Sequence, residues 1–248
     1  MLKAVVFDMD ETLLRINLNA FMAVLARDES ALLAEVGRTS AVRVLAAYSR
    51  ALLEVNRTGR DGSRTNREVF DGAIERGCGV VLSDPVIADV LACYEREVLP
   101  RRNNALIGAR QMPGAAAAVD AVAARGLRCA LFTNPSFSRA CIECRMGWGG
   151  LSDMPFELVT VMENSSHCKP DAAYYLEGLS KMGLGPSEVL MVGNDPKRDF
   201  PSPACGLQTA YVGRGAPGRA LWRGTMAAFA PAFDEIAERF EERAAARG

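Results

Sequence analysis

Three features of the sequence predict an α/β protein with a three-layer α/β/α core, a mainly parallel sheet and an inserted α-helical cap domain. One apolar strand opens the chain, a long helical block without strands follows it, and the remainder alternates strand with helix. The opening strand is Ala4-Val5-Val6-Phe7, whose β-branched and aromatic residues suit a buried position. It ends in two carboxylates, Asp8 and Asp10, with Thr12 after them.

The helical block takes up residues 15–104. From Asn17 to Val36, Leu18, Phe21, Met22, Leu25, Leu32, Leu33 and Val36 recur at helical spacing, with Asp28-Glu29-Ser30 allowing a break into two helices. Ser40 to Val55 repeats the pattern, the polar stretch Asn56 to Ser63 reads as a loop, and two more helices follow at Asn66–Arg76 and Asp84–Val98. Pro85 suits the first turn of the last one. The cap is therefore expected over 15–104, and the core over 1–14 and 105–248.

Beyond Met112, an Ala-rich helix from Pro113 to Arg125 stops at Gly126 and leads into the strand Leu127–Thr133. A helix at Ser136–Arg145, a strand near Leu158–Val161, a helix at Asp171–Met182 and a strand at Glu188–Gly193 come next. A short helix, a final strand Gln208–Val212 and a charged helix from Pro231 to Ala246 complete the expected series.

The 248 residues are 49% hydrophobic and 24% charged, with net charge −1. So balanced a chain offers no basic field for nucleic acid or an anionic membrane. Seven cysteines without framework spacing fit reduced thiols. No apolar run reaches the roughly 18 residues of a membrane span, and Met1-Leu2-Lys3 leaves no room for a signal peptide before the first strand. The expectation is a cytoplasmic protein with neither nucleic-acid nor membrane partners.

Polar groups collect where apolar strands end: Asp8 to Thr12, Thr133-Asn134, Lys169-Pro170, and Asn194-Asp195 with Asp199. In a parallel sheet such ends share one edge, and these groups are the kinds needed to hold a hard divalent cation beside a phosphate. His167, the only histidine, has no second histidine to work with, and Cys141 and Cys144 lack a partner pair, so both read as structural. Arg57, Arg60, Arg64 and Arg67 read as a solvated face, with an approach to an anionic substrate as the alternative.

The four segments, in this order, resemble the motifs of the haloacid dehalogenase superfamily, in its phosphatase branch with a helical type 1 cap. The first motif, Asp-x-Asp-x-Thr, falls on Asp8, Asp10 and Thr12; the second on Thr133; the third on Lys169-Pro170-Asp171; the fourth on Gly193-Asn194-Asp195 and Asp199. The resemblance implies a Rossmann-like core and a Mg²⁺-dependent phosphomonoester hydrolase acting on a small phosphorylated metabolite. Asp8 would be the nucleophile that forms an aspartyl phosphate, and Asp10 the acid and base. Thr12, Thr133, Asn134 and Lys169 would bind the phosphoryl group. The metal would take Asp8, the Asp10 carbonyl and side chains among Asn194, Asp195 and Asp199.

Haloacid dehalogenases proper lack an acid at the place of Asp10, because a halide leaves unprotonated; Asp10 thus favours phosphate chemistry. Asn194 stands where many members place an Asp, so either its carbonyl oxygen serves the metal or Asp195 takes over. Glu11 replaces a small residue in the first motif. The alternatives are a phosphotransferase such as a phosphomutase, and a non-catalytic binding protein that keeps the fold.

Overall fold

Ala4–Phe7 (β1) lies inside a six-stranded sheet, in the computed structural model, which describes residues 1–215 and 217–246. The sheet runs Phe156–Val159 (β5), Arg128–Leu131 (β4), β1, Val189–Gly193 (β6), Gln208–Val212 (β7), Trp222–Gly224 (β8), and every pair is parallel. Chain order reverses direction at β1, where β4 lies on one side and β6 on the other. A parallel sheet opens a ligand crevice at the carboxyl ends of such strands.

Alternate residues of β1 feed two cores. Val5 and Phe7 pack with Ala115–Ala124 (α5), Arg139–Trp148 (α6), Met226–Phe229 (α8) and Phe233–Ala245 (α9). Ala4 and Val6 pack instead with Tyr174, Tyr175 and Leu179 of Ala172–Lys181 (α7). Burial on both faces is why these strands read as continuous apolar runs.

The inserted helices are Leu18–Val36 (α1), Ala41–Val55 (α2), Asn66–Cys78 (α3) and Pro85–Cys93 (α4), and their apolar faces form a separate core around Val44, Tyr48, Val55, Phe70 and Ile74. The chain leaves and rejoins the sheet through a two-stranded antiparallel ribbon, Leu14–Arg15 (β2) with Arg110–Gln111 (β3). Among the described residues, no helix is long and apolar enough to cross a membrane.

Several details differ from the sequence reading, among them the short ribbon β2–β3 and the helix α8, which it did not expect. The first helix is continuous through Asp28-Glu29-Ser30, because Asp28 is held by Arg102 at 2.8 Å and by the Tyr94 hydroxyl at 3.2 Å, while Glu29 and Ser30 face inward. The expected Asp84–Val98 helix ends at Cys93 and continues as a wider turn, Tyr94–Val98. The helix expected from Ser136 begins at Arg139, since Ser138 is the residue whose hydroxyl caps it, accepting from the Cys141 N–H. Gln208–Val212 is not the final strand: β8 follows it, only three residues long in a Gly- and Arg-rich stretch where apolar pattern carries no signal.

Candidate active site

β1 delivers Asp8 to the carboxyl edge of the sheet, where its N–H still bonds the Val192 carbonyl of β6 at 2.9 Å. The turn that follows places Glu11 in the left-handed region at φ 59°. That conformation costs an L residue roughly 1–2 kcal/mol, which only glycine avoids. Here the Glu11 carboxylate accepts the Ile16 N–H at 2.9 Å.

Two groups fix the Asp8 carboxylate. Lys169 Nζ donates to Oδ1 at 2.7 Å, and the buried Thr12 hydroxyl donates to Oδ2 at 3.1 Å. The same ammonium reaches Asp199 Oδ1 at 2.6 Å. One cation therefore serves two buried carboxylates. Burial first, and then the Asp199 charge, push the Asp8 carboxyl up to about 7, against the opposing pull of Lys169. Burial also works against charge on Lys169, but Asp199 and Asp8 outweigh it and hold the ammonium well above the usual lysine range.

Asp199 owes its position to β6. A side chain at Gly193 would put its Cβ 2.4 Å from Asp199 Cγ, so only glycine lets the strand end pass this close. The Asp195 N–H donates to Asp199 Oδ2 at 2.9 Å, while the Asp195 carboxylate turns into its own loop and accepts the Lys197 N–H. The Asn194 amide oxygen lies 3.2 Å from the Thr12 hydroxyl, which also touches Asp8. Of the two residues, Asn194 is thus the one beside Asp8.

Thr133 follows β4, and its buried hydroxyl has no hydrogen-bond partner. Asn134 spends both amide hydrogens elsewhere, on Asn56 Oδ1 at 2.8 Å and Ser136 Oγ at 2.5 Å, and its oxygen accepts the Lys169 N–H at 3.1 Å. Asp10 is met by Arg145, whose Nη1 stands 2.8 Å from each carboxylate oxygen. Asp171 caps α7 and also accepts the Gly59 N–H from the inserted loop.

The sequence reading overlooked Arg145, Asn56 and Ser136. Arg145 left a trace, as a basic residue on the same helix face as Cys141, Ile142 and Met146. Asn56 left none, sitting in a polar loop whose docking depends on the whole fold. Of the groups set aside, Cys141 is buried beside Glu95, and His167 uses its backbone carbonyl to accept from Asn66.

The donors near Asp8 suit a hard cation. They are oxygens, and the two carboxylates there exceed the one ammonium. Among the described residues, Asp8, Asp10, Asp195 and Asp199 do not bring three side-chain ligand atoms within 4.8 Å of one another; the group that does is Glu29, Glu95 and Cys141, under the inserted helices. A metal at Asp8 would accordingly draw on amide and backbone oxygens as well as carboxylate.

The fold is shared with solved structures of low sequence identity. A phosphatase from Thermococcus onnurineus is 17% identical, with TM-score 0.55 over 95% of this chain and 98% of that chain. A β-phosphoglucomutase from Clostridium difficile is 16% identical, with TM-score 0.56 over 98% and 99%. An L-2-haloacid dehalogenase is 14% identical, with TM-score 0.52 over 96% and 98%. No curated protein sequence matches this one. The family model described as haloacid dehalogenase-like hydrolase matches residues 2–205. With that match over most of its length, the chain belongs to the haloacid dehalogenase-like hydrolases.

Proposed function

We propose that the protein hydrolyses a small phosphomonoester through a phosphoryl group carried on Asp8. The observation that carries this reading is the pairing of two acids, each held by its own cation. Asp8 is tied to Lys169 with its side chain 11% exposed, and Asp10, two residues on, is tied to Arg145 with its side chain 18% exposed. Dehalogenation needs the first of these acids; an alkyl phosphomonoester needs both, because its leaving alkoxide must take a proton.

In the first half-reaction an Asp8 oxygen bonds to phosphorus as the ester P–O bond breaks, and Asp10 gives its proton to the departing oxygen. In the second, water bonds to phosphorus while surrendering a proton to Asp10, and the Asp8–phosphorus bond breaks. Lys169 and Thr12 hold Asp8 in one rotation throughout, and Lys169 offsets the phosphoryl charge. Thr133 offers its unpartnered hydroxyl to a phosphoryl oxygen. Asn134 acts through the Lys169 backbone and through Asn56.

Mg²⁺, when bound, would screen the repulsion between carboxylate and phosphate; the Asp8 carboxylate, the Asp10 carbonyl and the Asn194 amide oxygen would hold it, with Asp199 in support. The inserted helices act as a cap that excludes water and reads the leaving group. A cavity of about 210 Å³ lies beneath them, lined by Leu25, Tyr48, Phe70, Glu95 and Phe137 among others, and Asp8, Asp10, Thr133 and Lys169 are not part of its lining.

The test is phosphate release from a panel of phosphorylated metabolites with Mg²⁺, for the wild type, Asp8→Asn and Asp10→Asn. Release by the wild type, lost in Asp8→Asn, is the expected result. Equal activity in all three rejects the reading, and an isomerised sugar phosphate in place of inorganic phosphate assigns the chain to phosphoryl transfer.

A further inference from the structure

Arg145 sits on α6 among apolar side chains and is fully buried. A guanidinium does not shed its proton, so at this depth it needs a carboxylate, and Asp10 supplies one with both oxygens 2.8 Å from Nη1. Its Cζ lies over two rings that themselves meet edge to face, 5.1 Å from the Phe21 centroid and 4.7 Å from that of Phe137. Nε and Nη2 have no hydrogen-bond partner.

A buried ion pair is poor value for stability alone, since apolar side chains of the same volume often serve as well, and two unpaired donors make this one poorer still. What the arrangement does supply is geometry. Three segments meet on one guanidinium: Asp10 from the turn after β1, Phe137 from the loop after β4, and Phe21 from α1, the first cap helix.

We propose that Arg145 is a positioning residue for Asp10: it sets the direction in which that carboxyl meets the leaving oxygen and, through Phe21, ties that direction to the seating of the cap. This inference rests on the phosphomonoester reading above, in which Asp10 protonates the leaving group.

Leaving-group dependence tests it. p-Nitrophenolate departs without a proton, whereas an alkoxide does not, so misplacing Asp10 harms the two esters unequally. The comparison uses p-nitrophenyl phosphate and the alkyl phosphate turned over fastest in the panel. The comparison is of kcat/KM, which reports the first half-reaction and leaves out the water step that both esters share: Arg145→Met should lower it about 10²-fold on the alkyl ester. On p-nitrophenyl phosphate the loss in kcat/KM should stay below about 10-fold. Arg145→Lys should recover part of the loss. In an Asp10→Asn background, Arg145→Met should cost the alkyl ester nothing further.

Equal losses on both esters, no loss on either, or additive losses in the double variant would overturn the proposal. Should circular dichroism show Arg145→Met unfolded, Phe21→Leu makes the same comparison without touching the ion pair. A lowered alkyl-to-aryl ratio supports the proposal, and an unchanged one contradicts it. If the wild type hydrolyses neither ester, it is the phosphomonoester reading that has failed.

Discussion

Lys169 stands between Asp8 and Asp199, 2.7 and 2.6 Å from their oxygens, and its removal would leave two buried carboxylates facing each other. Replacing it by Met is expected to cut turnover about 10²- to 10³-fold, as when a positioned charge-stabilising donor is lost, and steady-state kinetics would reveal it. A near-normal rate would remove Lys169 from the chemistry. Residues of this kind were legible beforehand because their types and order carry meaning. Contacts such as Asn134 with Asn56, or Asp10 with Arg145, were not, because they join positions 78 and 135 apart in sequence. The choice between Asn194 and Asp195 was equally hidden: neighbours in a loop point apart, and only the local hydrogen bonds reveal which one turns toward Asp8.

At the scale of the helix, α1 carries an unusual load. Its Phe21 and Leu25 pack with the core, its Leu33 and Ala34 pack with the other inserted helices, and Glu29 lies buried between them. Burial first, then the Glu95 charge, push the Glu29 carboxyl from 4.5 up to about 8, while Tyr48 and Arg67 oppose the shift. Between about pH 4.5 and 8 the folded chain thus binds a proton that the unfolded chain has released. Stability should fall as pH rises through that window, by on the order of 1.4 kcal/mol per pH unit at most. Glu29→Gln removes this contribution to the slope: the variant should be the more stable protein at pH 8, with the gap closing toward pH 4.5, by denaturant unfolding at each pH. Parallel curves for both proteins would contradict it. Helix type and approximate length were plain in the sequence from apolar spacing. The continuity of α1 was not, because the partners of Asp28 come from Tyr94 and Arg102, far along the chain.

For the whole molecule, Asn66 is the peg that joins the inserted helices to the sheet edge. It is fully buried, caps nothing itself, and donates from Nδ2 to the Pro135 and His167 carbonyls at 3.0 and 3.1 Å. Its own N–H bonds the Ser165 carbonyl at 2.7 Å, and Arg60 binds its side-chain oxygen. Asn66→Ala strands the buried Pro135 carbonyl and the partly buried His167 carbonyl and should cost about 1–3 kcal/mol. Hydrogen exchange should also quicken in α2 and α3 more than in the sheet, and uniform protection would argue against this docking role. The layered sheet could be anticipated because buried parallel strands announce themselves as apolar runs. Three-residue β8 and the two-residue ribbon β2–β3 are too short for any pattern, and exist only because the rest of the fold presents an edge to pair with.

The central claim is that phosphorus becomes bonded to the Asp8 carboxylate. An acyl phosphate is reduced by borohydride, so the enzyme can be quenched during turnover of a phosphomonoester, reduced, digested and read by mass spectrometry. The account predicts reduction at residue 8, dependent on substrate and missing from Asp8→Asn. Turnover without any modified aspartate, or with the modification at Asp10, would contradict it.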